Sequence, residues 1–355
     1  MSPQQTENLK SQNKSASKPV VAFFDSRRYD RESFLAANHK FGFQFLFLET
    51  RLTESTADLV PMGAIVCSFV NDQLSESTLS RLKSRQVKLV ALRSAGYNHV
   101  DLKAAEQLGL TIVRVPEYSP YAVAEHAVAL LLSLNRKIHR ASNRVREMNF
   151  SLEGLVGFDL HGKTVGVVGL GRIGLAFARI MRGFGCRVLA YDLKPRSEHE
   201  KDIGLKYTDL QELLRESDII SLHVPLNRET RHIFSAEAFE KVKKDLVLIN
   251  TGRGALIDSR ALIKALKSHR IGGACLDVYE EEEGVFFSDF SESGIEDDLL
   301  ARLLTFPNVL ITSHQAFLTR EALQNIADTT LTSFQAFLDG QTLQNQVSWS
   351  THGPR

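Results

Sequence analysis

The sequence is poor in cysteine and has no excess of charge of either sign. Its 355 residues include three cysteines, and 43 Lys and Arg residues oppose 42 Asp and Glu residues. The cysteines, Cys67, Cys186 and Cys275, are scattered in or near apolar stretches without metal-ligand spacing. We therefore expect core thiols in a reducing cytoplasm and no metal site. The balanced charge gives no support to binding of nucleic acid or of a membrane surface.

Long apolar runs are also missing. None reaches the roughly 18 residues that are needed to cross a bilayer. Residues 1–18, MSPQQTENLKSQNKSASK, are polar, contain Glu7 and no arginine, and lack the apolar stretch of a signal peptide. We expect a disordered tail there, followed by a soluble protein whose length suits about two domains.

Short apolar runs alternate with helix-like segments in two successive sets. The first set lies between residues 20 and 115, and the second begins at 162 and ends near 314. This alternation predicts parallel sheets with helical crossovers. We expect two doubly wound α/β domains, one over 119–315 and one discontinuous domain over 19–118 and 316–347.

Two helices are expected to connect these sets. The sequence over 119–147 predicts one long helix, with Ser119 as its cap and Pro120 in its first turn. His126 within it is expected to be a packed or capping residue. The amphipathic segment 319–340 has no strand partner in the second set, so we expect it to return to the first domain.

A glycine-rich turn opens the second set. The stretch GKTVGVVGLGRIG (162–174) places Gly169, Gly171 and Gly174 in a G-x-G-x-x-G pattern, after a strand and before a helical pattern. In this context the three glycines allow the tight turn, the approach of a pyrophosphate and helix–strand packing, respectively. The free N–H groups of the helix N-terminus favour the anion. The pattern predicts a Rossmann domain that binds a dinucleotide.

An acidic residue indicates which dinucleotide is bound. Asp192 ends the next strand, where a carboxylate can accept hydrogen bonds from both hydroxyls of the adenosine ribose. Because it would repel a 2′-phosphate, NAD is expected as the cofactor in preference to NADP. Lys194 and Arg196 are close in sequence and could weaken that preference.

Polar residues follow several strands of the second set. Arg253, Asp277, the tract Glu280–Glu283 and His314 all stand at or just beyond strand ends, where ligands bind in an open α/β sheet. Such a set suits reduction of a 2-oxo acid. Histidine can donate the proton that the developing alkoxide needs, a carboxylate beside it raises its pKa, and arginine can hold the substrate carboxylate. The tract alone does not indicate which glutamate would do this.

With these residues identified, the chain resembles the D-isomer-specific 2-hydroxyacid dehydrogenases over roughly 19–345. The resemblance rests on GKTVGVVGLGRIG, LHVPL, LINTGRGALID, LDVYEEE and SHQAFLT. The stretches ALRSAGYNHVDL, VRVPEYSPYAVAEHA, NRKIHRA and NFSLEGL are similar to those of fermentative D-lactate dehydrogenases. The resemblance implies NADH-dependent, reversible reduction of pyruvate to D-lactate, a flavodoxin-like fold for the discontinuous domain, and a homodimer or homotetramer.

The resemblance also implies residue roles. The catalytic acid of the family stands five residues after the strand-end Asp277, which is Glu282, and it pairs with His314, while Arg253 binds substrate; Glu280, Glu281 and Glu283 would stay outside. Further implied cofactor contacts, besides Gly169, Gly171, Gly174 and Asp192, are Arg172, Ile173, Val224, Pro225, Thr230, Thr251, Gly252 and Asp277. Implied substrate contacts, besides Arg253, are Ala95, Gly96, Tyr118 and Phe317.

Two alternatives remain open. The substrate could be another small 2-oxo acid, such as glyoxylate, hydroxypyruvate or a branched 2-oxo acid, because pocket size decides that choice. The protein could also be a non-catalytic binding protein that senses NADH. The complete Arg–Glu–His set favours the enzyme.

Overall fold

The computed structural model describes residues 18–352, so residues 1–17 of the expected tail lie outside the described part of the chain. The chain divides into two compact units. We call 119–319 the central unit, and 18–118 with 320–352 the split unit. Within 18–352, no helix is both long enough and apolar enough to cross a membrane.

Short strands form the two sheets. In chain order they are β1 Val20–Phe23, β2 Gln44–Phe47, β3 Ile65–Ser68, β4 Leu89–Leu92, β5 Thr111–Arg114, β6 Thr164–Val168, β7 Arg187–Tyr191, β8 Lys206–Tyr207, β9 Ile219–Leu222, β10 Val247–Asn250, β11 Gly273–Leu276, β12 Val309–Ile311 and β13 Gln346–Val347. All pair in parallel except β13, which runs antiparallel to β5.

Helices make the crossovers between strands. They are α1 Arg28–Asn38, α2 Glu76–Ser84, α3 Leu102–Gln107, α4 Pro120–Asn135, α5 Ile138–Arg146, α6 Arg172–Gly183, α7 Ser197–Ile203, α8 Leu210–Glu216, α9 Ala236–Lys241, α10 Ser259–Lys267, α11 Asp298–Leu304, α12 Arg320–Leu338 and α13 Trp349–His352. Several are preceded by a Ser or Asp whose side chain accepts a hydrogen bond from the first turn, as expected for N-caps. The predicted cap Ser119 is confirmed, because its Oγ accepts a hydrogen bond from Ala122 N at 3.2 Å.

The strand order identifies both sheets. In the central unit the order is β12-β11-β10-β9-β6-β7-β8, which is the Rossmann order with one added strand. In the split unit the order is β13-β5-β4-β3-β1-β2, which is flavodoxin-like with an antiparallel edge strand. The predicted fold class, two parallel-sheet α/β domains, is confirmed.

The central sheet is covered on both faces, which explains its continuous apolar strands. Successive residues of β10 alternate between the two layers: Val247 and Ile249 pack with α4 and α6, whereas Leu248 packs with the layer that contains Leu213 and Phe239. Burial on both faces fixes the sheet, and the loops at its carboxyl edge start from rigid strand ends.

The predicted single helix over 119–147 is wrong. It is two helices, because α4 ends at Asn135 and Lys137 adopts a left-handed conformation with φ of 51°. The side chain of Asn135 pairs with the backbone of Phe158 in both directions, at 2.7 and 2.8 Å. These two hydrogen bonds fix the last residue of α4 to Phe158. The following helix, α5, contains no buried residue.

The strand predictions located the main strands but not their limits. Most observed strands are shorter than the apolar runs, because residues at one or both ends of a run lie in the adjoining loops. The two-residue edge strands β8 and β13 were missed. A pair of residues gives no measurable periodicity, and the neighbouring strand alone determines that they join the sheet.

Candidate active site

The glycine turn joins β6 to α6. Gly169 has φ of +94°, and a Cβ there would lie 2.8 Å from the carbonyl carbon of His223. A Cβ on Gly174 would lie 2.0 Å from Gly169 O, so this glycine permits the helix to approach the strand. A Cβ on Gly171 would meet no atom within 4 Å. Gly169 and Gly174 are therefore required by the fold, whereas Gly171 leaves space in front of the N-terminus of α6.

Asp192 follows β7 and contacts this turn. Its Oδ2 accepts a hydrogen bond from Leu170 N at 2.7 Å, and its Oδ1 accepts one from Lys194 N at 2.8 Å. The residue remains half-buried, and each carboxylate oxygen has a further lone pair. Asp192 thus stabilises the glycine turn and can still accept hydrogen bonds from a ribose.

Two threonines with predicted cofactor contacts differ in their surroundings. Thr230 Oγ1 donates to Pro225 O at 2.6 Å and accepts from Asn227 N at 2.8 Å, so this hydroxyl stabilises its own loop. Thr251 follows β10, is 7% exposed, and its Oγ1 has no hydrogen-bond partner among the described residues. A buried hydroxyl without a partner costs about 1–3 kcal/mol.

The remaining predicted cofactor residues lie at the same edge of the central sheet. Arg172 and Ile173 begin α6, Val224 and Pro225 follow β9, and Gly252 follows Thr251. The open space before Gly171 and the unpartnered hydroxyl of Thr251 fit a dinucleotide laid across this edge. The residues present therefore fit NAD.

Arg253 stands in the loop after β10, and Asn250 holds that loop. Asn250 is fully buried, its Nδ2 donates to Arg253 O at 2.9 Å, and its Oδ1 accepts from Gly252 N at 3.0 Å. Arg253 Nη1 donates to Gly252 O at 2.7 Å, and no ion pair involves Arg253 within residues 18–352. Its guanidinium is available for an anionic ligand.

The four glutamates have different partners. Glu282 Oε1 lies 2.8 Å from His314 Nδ1, and Glu282 Oε2 accepts from Tyr279 N at 3.0 Å. Glu280 instead lies 2.5 Å from His232 Nε2. Glu281 and Glu283 are exposed. The structure thus pairs with His314 the glutamate that the sequence resemblance indicated.

His314 is held in an unusual backbone conformation. Its φ is +48°, which is uncommon for a residue other than glycine. Its backbone N–H donates to Asp277 O at 2.7 Å, and its ring centroid lies 6.0 Å from that of Phe287. With Nδ1 facing Glu282, Nε2 is the nitrogen that remains for a ligand.

Asp277 supports the loop that carries His314. It has no exposed surface. Oδ1 accepts from Gln315 N at 2.9 Å, and Oδ2 accepts from Ala316 N at 2.8 Å. Burial raises the pKa of Asp277, but hydrogen bonds from His126, Thr312 and these two amides outweigh it, so the pKa lies below its usual value. The ionised side chain fixes the His314 loop.

The predicted substrate contacts are divided between the units. Phe317 belongs to the central unit with Arg253, Glu282 and His314, while Ala95, Gly96 and Tyr118 belong to the split unit. In the loop after β4, Ala95 O accepts from Arg114 at 2.7 Å and Gly96 O accepts from Ser94 Oγ at 2.8 Å. Tyr118 O accepts from Asn325 Nδ2 at 2.6 Å.

Sequence reasoning missed several residues that shape the site. Asn250 supports the Arg253 loop, Thr312 contacts Asp277, and Phe287 lies against His314. Asn250 and Thr312 both stand at strand ends, which was the criterion used for the other residues, so they could have been found. Phe287 comes from an irregular loop and carries no such signal.

Comparison with known proteins identifies the family of the chain. Residues 128–316 match the family described as "D-isomer specific 2-hydroxyacid dehydrogenase, NAD binding domain". That range contains the glycine turn, Arg253, Glu282 and His314.

The chain belongs to the D-isomer specific 2-hydroxyacid dehydrogenase family.

Full-length relatives support the assignment to this family of NAD-dependent oxidoreductases. The chain is 51% identical over 312 residues to a 2-hydroxyacid dehydrogenase homolog of Zymomonas mobilis and 50% identical over 311 residues to the D-lactate dehydrogenase of Escherichia coli. Each match covers 88% of this chain and 94% of the relative. The structure of the pyruvate reductase of Chlamydomonas reinhardtii is 43% identical, with a TM-score of 0.88, and the match covers 93% of this chain and 99% of that one.

Proposed function

We propose that this dehydrogenase reduces pyruvate to D-lactate with NADH, in a reversible reaction. The observation that carries the proposal is the pair of His314 Nδ1 and Glu282 Oε1 at 2.8 Å, at the same sheet edge as the glycine turn and Arg253. The choice of substrate is supported by relatives named as a D-lactate dehydrogenase and a pyruvate reductase.

The chain's own residues would divide the work as follows. Arg253, which has no carboxylate partner within 18–352, binds the substrate carboxylate as a two-point donor. Bound NADH supplies the hydride to the keto carbon. His314 donates a proton from Nε2 to the carbonyl oxygen as negative charge develops there. In lactate oxidation the same nitrogen accepts that proton.

Glu282 orients the His314 ring for this proton transfer. Its carboxylate accepts the hydrogen bond from Nδ1, which fixes the ring and places a negative charge beside the imidazolium. The second carboxylate oxygen is held by Tyr279 N, so the glutamate itself is oriented by the backbone. A neutral amide in its place would still bond the ring but would not stabilise the positive charge.

Further contacts follow from the same proposal. Backbone amides of Ala95 and Gly96 would bind the substrate carboxylate, and Tyr118 and Phe317 would line the substrate site. The cofactor contacts remain those named above, with Asp192 favouring NADH over NADPH because its carboxylate repels a 2′-phosphate.

The three buried free thiols support a reducing, cytoplasmic location.

We also propose that the protein is a homo-oligomer, either a dimer or a tetramer. The support is a set of apolar side chains just after α5 that are 69–84% exposed: Met148, Phe150, Leu152 and Val156. A concentration of exposed large apolar residues in one short segment indicates an interface.

The first test is loss of NADH absorbance on addition of pyruvate, glyoxylate, hydroxypyruvate or a branched 2-oxo acid, repeated with NADPH. Wild type should turn over pyruvate fastest and prefer NADH. Glu282→Gln should lower kcat/KM by at least about a hundredfold, because the amide places no negative charge beside the imidazole that donates the proton.

Glu281→Gln is the matched control, since it removes the same charge from an exposed neighbour, and it should behave as wild type. If the enzyme preferred another oxo acid, the proposed substrate would be wrong, but the proposed type of reaction would stand. Tight NADH binding without turnover of any oxo acid would contradict the proposed enzymatic activity and favour a dinucleotide-sensing protein.

A further inference from the structure

The loop that carries His314 is organised around one buried carboxylate. Asp277 Oδ1 accepts from Thr312 Oγ1 at 2.5 Å and from Gln315 N at 2.9 Å, and Oδ2 accepts from Ala316 N at 2.8 Å. Residues on both sides of His314 are therefore fixed by the same side chain. A fourth group, His126 on α4, also reaches it: His126 Nε2 lies 3.0 Å from Thr312 Oγ1 and 3.3 Å from Asp277 Oδ1.

The direction of these hydrogen bonds can be worked out. Asp277 is ionised, since its pKa lies below the usual value, and so it can only accept. Thr312 has one hydroxyl proton, which it donates to Asp277. Toward His126 the hydroxyl oxygen can then only accept, so His126 Nε2 must carry a proton. His126 is thus a donor in this cluster.

His126 is also firmly placed. Its neighbours on α4, Ala124 and Ala127, are fully buried in the core beside the central sheet, and the His126 side chain is 18% exposed. Among residues 18–352, no lysine or arginine forms an ion pair with Asp277. His126 is the one side chain among the partners of Asp277 that can carry a positive charge.

We propose that His126 is a positioning residue for His314: by donating to Thr312 and Asp277, it holds the loop 312–316 in the geometry that presents the His314 ring. This inference rests on the proposed function. Its physical reason is the left-handed backbone of His314, which is strained and persists only while its surroundings hold it. Without the His126 donor, the contacts that fix Thr312 and the Asp277 carboxylate are weaker, and the loop 312–316 can leave this conformation.

The test compares removal of the donor with its retention. His126→Leu removes the donor, and Thr312→Val removes the hydroxyl with little change in shape. His126→Gln and Thr312→Ser keep a donor and a hydroxyl at about the same reach. His139→Leu, on the following helix α5, is the control for loss of an imidazole elsewhere.

His126→Leu and Thr312→Val should lower kcat for the oxo acid about tenfold to a hundredfold, the effect of a displacement of order 1 Å at a reacting group. The Kd for NADH, measured by fluorescence, should change less than about twofold, since the glycine turn is untouched. His126→Gln and Thr312→Ser should recover most of kcat. Wild-type kcat in His126→Leu, or equal losses in the Leu and Gln variants, would overturn the positioning role.

A second readout does not depend on turnover. In ¹⁵N-histidine NMR, His126 should show a protonated Nε2, and the Gln315 and Ala316 amide resonances should move upfield in His126→Leu as their hydrogen bonds lengthen. An Nε2 without a proton, or unmoved amides, would refute the inference even if no oxo acid is reduced. Movement of the amides without turnover in wild type would instead support the cluster and refute the proposed reaction.

Discussion

At the scale of single residues, the glutamate tract shows how position selects a role. Glu280 and Glu282 each bind a histidine, His232 and His314 respectively, whereas Glu281 and Glu283 are exposed. The two histidines belong to different loops, so identical side chains two residues apart serve different purposes. Glu280 also accepts from Ser259 N at 3.3 Å at the start of α10, which gives it a structural role.

Single residues also set how stability depends on pH. His223 lies next to the glycine turn, its ring centroid is 5.2 Å from that of Phe177, and its Nε2 is 2.9 Å from Ser221 Oγ. Burial lowers the pKa of His223 to about 3. In the unfolded chain an imidazole titrates near a pKa of about 6.5. Between these values the unfolded state binds the extra proton.

We therefore predict that the free energy of unfolding falls as the pH falls below about 6.5, with His223 contributing at most about 1.4 kcal/mol per pH unit. Above that pH its contribution is fully present. In His223→Gln this contribution disappears, so the difference in unfolding free energy between wild type and variant should shrink as the medium is acidified. Urea unfolding at several pH values measures it, and a constant difference would contradict the prediction.

At the scale of structural elements, the glycines of the β6–α6 turn have different roles, one in stability and one in cofactor binding. Gly174→Ala places a methyl group against Gly169 O, at 2.0 Å before relaxation, so the backbone must move. We expect a loss of about 1–3 kcal/mol in unfolding free energy, typical of an overpacked site. Gly171→Ala meets no protein atom within 4 Å and should change stability by less than about 0.5 kcal/mol.

The same Gly171→Ala variant should bind NADH about tenfold more weakly, since its methyl group occupies the space that the pyrophosphate approaches. Chemical unfolding and NADH fluorescence titration on both variants separate the two effects. If Gly171→Ala bound NADH as tightly as wild type, the dinucleotide would not lie across this turn.

At the scale of the whole molecule, the segment after α5 exposes apolar side chains of the kind that form an interface between subunits. Four apolar side chains there are at least 69% exposed. We predict that wild type elutes as an oligomer in size-exclusion chromatography with light scattering, and that Phe150→Ser with Leu152→Ser shifts the mass toward the monomer while circular dichroism is unchanged.

Leu193→Ser is the control, because Leu193 is 78% exposed but follows β7, away in sequence from this segment. It should leave the mass unchanged. A monomeric wild type, or an unchanged mass in the double variant, would rule this segment out as the interface.

The sequence alone determined the fold class and named the candidate residues of the central site. Continuous apolar strands require a covered parallel sheet, and ligands bind beyond the carboxyl ends of such strands, so Arg253, Glu282 and His314 could be named from strand ends and the family resemblance. These features are local, or repeat along the chain, and so are readable without coordinates.

The tertiary structure alone decided the break after Asn135, the burial of Asp277 and the link from His126 through Thr312 to the His314 loop. Each depends on a contact between residues that are far apart in sequence: 23 residues for Asn135 with Phe158, and 186 for His126 with Thr312. Local periodicity carries no information about such contacts. They form only when separate strands and helices pack together, and most buried polar groups then find a partner.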